Sequence, residues 1–386
     1  MSTTHQLSAQ TLSQLRAVDG ASVDTLTTFA QLTTLHIGGA PLLTIRCGTQ
    51  EAVVQVVSLL DAAGVPLLIV GGGSNLVVAD GQVPVVAVVL ECAGIKVAAG
   101  PGEGTALLRA EAGAVWDDTV AYSLGQGLGG LECLSGIPGS TGATPVQNVG
   151  AYGVEVSDVL TGVKLFDRAT GEVAWHPAES LELRYRYSNL KFTARAVVLE
   201  VEFALTTDGL SAPLRFGGLT AALGAEQGER RPAGLVRDTV LAIRRDKGMV
   251  YDEGDHDTWS AGSFFTNPIV SPAVAAQVVE FARQREGEAV RVPVFDAVDA
   301  QGAPAKKLSA AWLIDHAGID KGFPGEGAPA RVSTKHTLAL TNRGGAATAD
   351  VVDLARRVRA GVADVFGVIL EPEPVWVGVA IDADRP

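Results

Sequence analysis

Apolar positions along the first half of the chain switch between a period of two and a helical period. After a polar start through Thr27, the segment 35–46 (LHIGGAPLLTIR) predicts a strand, a glycine turn and a second strand. Thr49 then heads a helix in which Val53, Val56, Val57 and Leu60 share one face, and Gly64 and Pro66 end it. The run 67–70 (LLIV) follows as a strand, so this stretch reads β–α–β. Leu76, Val77 and Val78 lead to a turn at Asp80-Gly81, and a strand-length apolar run occupies 83–90. A short helix is expected over 116–124, closed by Gly125. The segment 160–177 alternates and turns at Thr170-Gly171 as a hairpin, and 196–205 is a further strand. Composition shifts toward glycine and charge over 207–232, which marks a domain boundary or a mobile insertion. Val236, Val240 and Ile243 define a helix ending at Lys247-Gly248. Val351, Leu354, Val358, Val362 and Val365 define a last one over 349–366, with Thr348 as its N-cap.

A chain of 386 residues exceeds what one core usually serves, so two or three domains of mixed α and β structure are expected. A formal net charge of −13 argues against a general role on nucleic acid or an anionic membrane. No apolar run approaches the roughly 20 residues of a membrane span, since Pro84 interrupts the richest one. The N-terminus MSTTHQLSAQ lacks the basic and apolar regions of a signal peptide, which makes the cytoplasm the default location, and His5 falls in what reads as a loose tail. Cys47, Cys92 and Cys133 are far apart and odd in number, and are read as reduced, packed thiols. The six histidines form no helical ligand pair, so no metal site is expected.

Two glycine clusters carry the first functional signal. In 67–76 (LLIVGGGSNL) a buried strand empties into Gly71, Gly72, Gly73, Ser74 and Asn75, the composition of a loop that cradles phosphate with main-chain N–H groups. The glycines do not spell GxGxxG and no clear helix follows them, so a Rossmann reading is weak. The second cluster, 135–155 (SGIPGSTGATPVQNVGAYGVE), has no charge before Glu155 and can bring backbone close to a ligand. A tight connection between core elements is the ordinary alternative for either one.

Three polar constellations lie outside these loops. Arg186, between Tyr185 and Tyr187, is either a surface stack or a permanent cation for a carboxylate or an enolate. Ser263, in GSFFTNP, follows Gly262 without the GxSxG frame of a hydrolase; it is either a loop serine or a proton donor or ligand contact. Glu373, in EPEPVW, is locked between prolines and expected to be partly buried, which would favour its neutral form; a solvated glutamate on a stiffened edge strand is the alternative.

Taken together, HIGGA at 36–40, GGGSNL at 71–76, IPGSTGATPVQNVGAYGVE at 137–155, YRYS at 185–188, GSFFTNP at 262–268, KLSAAWLIDHAG at 307–318 and EPEPVWVG at 371–378 resemble the UDP-N-acetylenolpyruvoylglucosamine reductase family. The resemblance runs from about Thr33 to Val379. It implies an α+β fold: a two-lobed FAD-binding domain of vanillyl-alcohol-oxidase type, then a C-terminal α+β substrate-binding domain. The divisions it implies are an N-terminal segment 1–27, an FAD domain 28–207, an insertion or linker 208–234, a substrate domain 235–371 and a C-terminal segment 372–386. It also implies an NADPH-dependent, FAD-mediated reduction of the enolpyruvyl sugar nucleotide to UDP-N-acetylmuramate, by a monomer.

Residue by residue, the resemblance assigns Gly71, Gly72, Gly73, Ser74, Asn75, Gly139, Ser140, Thr141, Gly142 and Ala143 to FAD. No histidine in the loop could bond the flavin, so binding is expected to be noncovalent. Arg186, Ser263 and Glu373 are carried over as catalytic, and Lys247, Asn267, Phe216 and Tyr152 as substrate contacts. Two positions depart from the family pattern. Phe216 stands where relatives with a mobile closing loop usually carry a tyrosine, and Thr266 replaces a frequent basic residue. A flavin oxidase of the same fold would keep the glycine loops but has no need of Arg186, Ser263 and Glu373 together. A catalytically idle nucleotide-sugar sensor would have no reason to retain them.

Overall fold

The computed structural model describes residues 7–382, so His5 lies outside the described residues. The chain divides into two compact units: residues 1–34, 39–74 and 81–251 form the first, and 35–38, 75–80 and 252–386 the second.

The first unit has two lobes. In one, a sheet orders Ala21–Asp24, Leu43–Cys47, Val86–Leu90 and Leu67–Val70, with only the first of these antiparallel to its neighbour. The helix Gln50–Ala62 crosses it as the apolar period requires: Thr49 accepts from the Ala52 N–H as N-cap, and Val53, Val56, Val57 and Leu60 are fully buried. In the other lobe, an antiparallel sheet orders Val173–Pro177, Leu160–Asp167, Ala196–Thr206, Thr105–Glu111 and Ile95–Ala99. Its strands alternate between two cores. Leu165, Val198 and Val201 pack with Trp116 and Val236 on one face, while Phe166, Val197 and Leu199 pack with Val56 and Ile45 on the other.

The second unit is built around the helix Thr348–Phe366, whose Val351, Leu354, Val358 and Val362 pack among Phe264, Phe265, Leu313, Ile314 and Val332. Around it lie the helices Pro272–Glu286 and Ala310–His316 and the three-stranded sheet Ile269–Val270, Pro304–Leu308 and Val294–Val298. A parallel pair joins Leu76–Val78 to Val375–Val377.

Several expectations need correction. The segment 208–234 is not a linker between the units: Leu214 and Leu219 are fully buried in the first unit's core. The helix Ala233–Asp246 belongs there too, because Val236 and Val240 face the same core as Trp116, so the division falls after Tyr251 rather than at 234. The segment 1–27 is not separate either, since Leu15 and Val18 fill the first lobe and Ala21–Asp24 edges its sheet. The segment 372–386 carries a strand integral to the second unit.

The strand expected at the start of 35–46 does not form. The Asn342 amide takes the Leu35 and His36 carbonyls, each at 3.1 Å, and Leu35 and Ile37 are buried in the second core. Thr348 is the first helical residue rather than the N-cap. Its N–H and hydroxyl meet the Asp80 carboxylate, and the hydroxyl also donates to the Val78 carbonyl at 2.7 Å.

Candidate active site

In the first unit, three stretches of backbone meet with almost no side chain between them. A Cβ on Gly72 would lie 2.6 Å from the Gly139 Cα, and one on Gly71 would lie 2.1 Å from the Ser140 Oγ. Gly73 sits at φ +60°, and a Cβ there would lie 1.7 Å from the Leu32 carbonyl, so glycine alone fits. The Ser74 hydroxyl donates to the Pro138 carbonyl at 2.8 Å and ties the two loops together. Among the described residues, no main-chain carbonyl accepts from the N–H of Gly72, Gly73 or Ser74. A run of such donors at a glycine loop suits the anionic oxygens of a pyrophosphate. Of the second loop, Thr141 and Gly142 are buried with their N–H groups committed to Ala114 and Ala112, whereas Ala143 is exposed and Gly139 half-buried.

Tyr152, at φ +52°, meets Phe216 edge to face at 5.5 Å between ring centroids. Burial raises the pKa of its phenol, and the charge of the neighbouring Arg244 guanidinium opposes that effect. Arg244 is buried, donates to the Met249 carbonyl at 2.6 Å and, among the described residues, leaves its Nε without a partner. Burial disfavours its charge, and the neighbouring Tyr152 and Asp117 oppose that effect. Burial also works against the Asp117 carboxylate. The Arg237 guanidinium, bidentate at 2.7 and 2.8 Å, and the Gly136 N–H at 2.6 Å overcome it and hold that group below the usual range. Lys247 caps the helix that carries Arg237 and Arg244 and is half-buried. Arg186 occupies the tip of a tight turn, with its guanidinium donating to the Gly150 carbonyl at 2.7 Å and lying 4.0 Å from Glu155.

In the second unit, the GSFFTNP segment pairs with EPEP. Glu373 N–H donates to the Phe264 carbonyl at 2.9 Å, and Thr266 N–H to the Glu371 carbonyl at 3.0 Å. Phe264 and Phe265 are fully buried and anchor the pair, which leaves Ser263 and Glu373 half-buried on neighbouring stretches of chain. Asn75 belongs to this unit: its carbonyl accepts from the Val375 N–H at 2.9 Å, and its amide reaches the Glu373 carbonyl at 3.5 Å. Asn267 accepts from the Ala310 N–H at 2.9 Å and so helps start the helix Ala310–His316.

The cysteines are free and buried, and burial pushes the Cys47 and Cys133 thiols up to about 12, which leaves them inert at neutral pH. Among the described residues, no cluster of three or more His, Cys, Asp or Glu is placed to hold a metal ion. Among them, too, no helix is long and apolar enough to cross a membrane.

Comparison with known proteins decides the family. Residues 254–377 match the UDP-N-acetylenolpyruvoylglucosamine reductase C-terminal domain, and residues 41–176 match an FAD binding domain. A relative from Corynebacterium glutamicum (strain R), named UDP-N-acetylenolpyruvoylglucosamine reductase, is 59% identical over 372 residues, covering 96% of this chain and 98% of its own. The chain belongs to the UDP-N-acetylenolpyruvoylglucosamine reductase family. A reductase of the same name from Mycobacterium marinum is 53% identical over 372 residues, covering 94% of this chain and 97% of its own. The crystal structure of the Thermus caldophilus reductase shares the fold, with a TM-score of 0.59 at 23% identity over 92% of this chain and 98% of that one. The protein is therefore an FAD-containing oxidoreductase, α+β in class, with an FAD-binding domain.

Within this reductase fold, sequence reasoning passed over Arg244, Asp117 and Asn148. Arg244 lies three residues before Lys247 in IRRDKGM, on the helix face that Val236 and Val240 share, and a charged residue among apolar ones on that face was the available signal. Asn148 is buried at φ +47° and bonds Glu155, Ser157 and Arg184, a junction of three segments that only the fold reveals. At Phe216, the ring packs on Tyr152 without any hydroxyl to offer a nucleotide.

Proposed function

We propose that the protein reduces UDP-N-acetylglucosamine enolpyruvate to UDP-N-acetylmuramate with NADPH, the step that supplies the muramic acid of peptidoglycan, in the cytoplasm. The observation that carries this reading is the paired backbone of GSFFTNP and EPEP, which presents a hydroxyl and a carboxyl on adjacent chain in a reductase of this family.

FAD, when bound noncovalently, supplies hydride carriage from NADPH to the terminal methylene carbon of the enolpyruvyl ether. Gly72, Gly73 and Ser74 would hold its pyrophosphate through main-chain N–H groups, with Gly71, Gly139 and Ser140 through Ala143 completing the two loops. Addition at the methylene carbon pushes charge onto the adjacent carbon and its carboxylate. Arg186 meets that charge with a permanent guanidinium cation. Glu373 hydrogen-bonds the same developing anion. Ser263 then gives its hydroxyl proton to the carbanionic carbon, which completes the lactyl ether. Lys247 and Asn267 contact the uridine diphosphate, and Tyr152 and Phe216 lie beside the sugar nucleotide.

Mass spectrometry of a reaction holding enzyme, NADPH and the enolpyruvyl sugar nucleotide tests this. A product heavier by two hydrogens, formed in step with NADPH oxidation, is expected. NADPH oxidation that consumes oxygen and returns the sugar nucleotide unchanged would contradict it.

A further inference from the structure

The turn that carries Arg186 adopts a backbone its side chain does not favour. Arg184 and Tyr187 exchange both main-chain bonds at 3.0 Å, so Tyr185 and Arg186 form the two-residue tip. Arg186 sits at φ +54°, a region that residues other than glycine rarely adopt. A conformation of that kind persists only where its surroundings enforce it. Both ends of Arg186 are held. At the side-chain end the guanidinium reaches the Gly150 carbonyl at 2.7 Å and the Asn148 carbonyl at 3.5 Å, and stacks on Tyr185 at 5.1 Å. Asn148 in turn ties the Arg184 carbonyl at 3.1 Å.

At the main-chain end, the ammonium of Lys191 donates to the Arg186 carbonyl at 3.1 Å. Lys191 is only 7% exposed, and its own N–H donates to the Ser188 carbonyl at 3.1 Å, so the lysine leaves the turn and folds straight back onto it. Ser188, also buried, anchors the next residue of the turn by donating to the Val146 carbonyl at 2.5 Å.

We propose that Lys191 is a positioning residue: it locks the Arg186 main chain in the left-handed turn and thereby fixes the direction of the guanidinium. The inference rests on the reading that Arg186 stabilises the anion formed in the second half-reaction. Loss of Lys191 frees the turn to relax toward ordinary backbone and swings the guanidinium away, leaving flavin binding and flavin reduction as they were.

The test is single-turnover kinetics on the flavin-loaded protein, with reduction by NADPH and reoxidation by the enolpyruvyl sugar nucleotide followed separately under anaerobic conditions. Lys191→Met should slow reoxidation by about 10- to 100-fold, the loss that a small misplacement brings. Reduction by NADPH, flavin content and melting temperature should stay near those of the native protein, and Lys191→Arg should restore most of the rate. Combined with Arg186→Ala, the methionine variant should add no further loss. Equal slowing of both half-reactions, loss of flavin, or an additive loss in the double variant would overturn the proposal. Arg186→Ala with an unchanged reoxidation rate would refute the role of Arg186 itself, and the role of Lys191 with it. A slow Arg186→Ala beside an unaffected Lys191→Met would refute the positioning role alone. Lys191→Gln, which keeps a neutral donor, carries the same comparison if the methionine variant does not fold; failure of both to fold assigns Lys191 to stability and overturns the proposal.

Discussion

Ser263 carries a hydroxyl whose ordinary acidity is far too weak to protonate anything but a strong base, so the role proposed for it depends on the carbanionic carbon that the substrate becomes. Ser263→Ala should therefore leave flavin reduction by NADPH intact and slow reoxidation by the sugar nucleotide by about 10²- to 10⁴-fold. Equal loss in both halves, read by stopped-flow absorbance, would refute the assignment. Glu373→Gln should likewise spare flavin binding, because the main-chain bonds of Glu373 to Phe264 do not involve its carboxyl. A different buried carboxylate is structural. Glu132 accepts from the Gly130 and Ala212 N–H groups, each at 2.7 Å, one on each oxygen. Glu132→Gln turns one of those oxygens into a donor facing a donor, and should cost about 1–3 kcal/mol in urea unfolding. The residues that motifs expose were legible in the chain. Asp80, Asn148, Asn342 and Lys191 were not, because each matters through a partner that is remote in sequence or through a backbone angle with no signature in composition.

Four helices were read to within a residue or two, because one buried face suffices to define them: Gln50–Ala62, Trp116–Gly125, Ala233–Asp246 and Thr348–Phe366. The hairpin of Leu160–Asp167 and Val173–Pro177 was legible for the same reason. Segments defined by distant partners were misread, as 35–46 was when its first residues bonded to Asn342 instead of a strand. The sequence reading assigns no elements between 269 and 316, although Ser271 and Ser309 cap the helices Pro272–Glu286 and Ala310–His316. Helix-to-helix ties yield predictions of their own. The Asp117–Arg237 pair joins the helices Trp116–Gly125 and Ala233–Asp246. Asp117→Asn should lower stability by about 1–3 kcal/mol at neutral pH. The native carboxyl is held below its ordinary value of 3.8, so this contribution is present above that value and is lost as pH falls through the depressed folded one. Denaturant midpoints of native and variant protein should converge at strongly acidic pH; a gap that persists there would show that the pair acts through packing rather than charge. At the glycine loop, Gly73→Ala places a methyl group against the Leu32 carbonyl, and the variant should purify without yellow colour.

For the whole molecule, length led to the expectation of two or three domains, but not to the division between them. The second unit draws in 35–38 and 75–80 from the first part of the chain, and the helix Ala233–Asp246 stays with the first unit through its apolar face. Such excursions follow from which core a side chain fills, and a linear reading assigns residues by neighbourhood instead. The functional reading survives this because its motifs are short and local, whereas domain boundaries depend on where whole faces are buried. Its central claim is that one flavin serves two substrates in turn. The most direct measurement is an anaerobic absorbance trace of the purified protein, given limiting NADPH and then UDP-N-acetylglucosamine enolpyruvate. Bleaching of the flavin, followed by recovery only when the enolpyruvyl sugar nucleotide is added, is the predicted result; a bleached flavin that ignores the sugar nucleotide and recovers only on admitting air would contradict it.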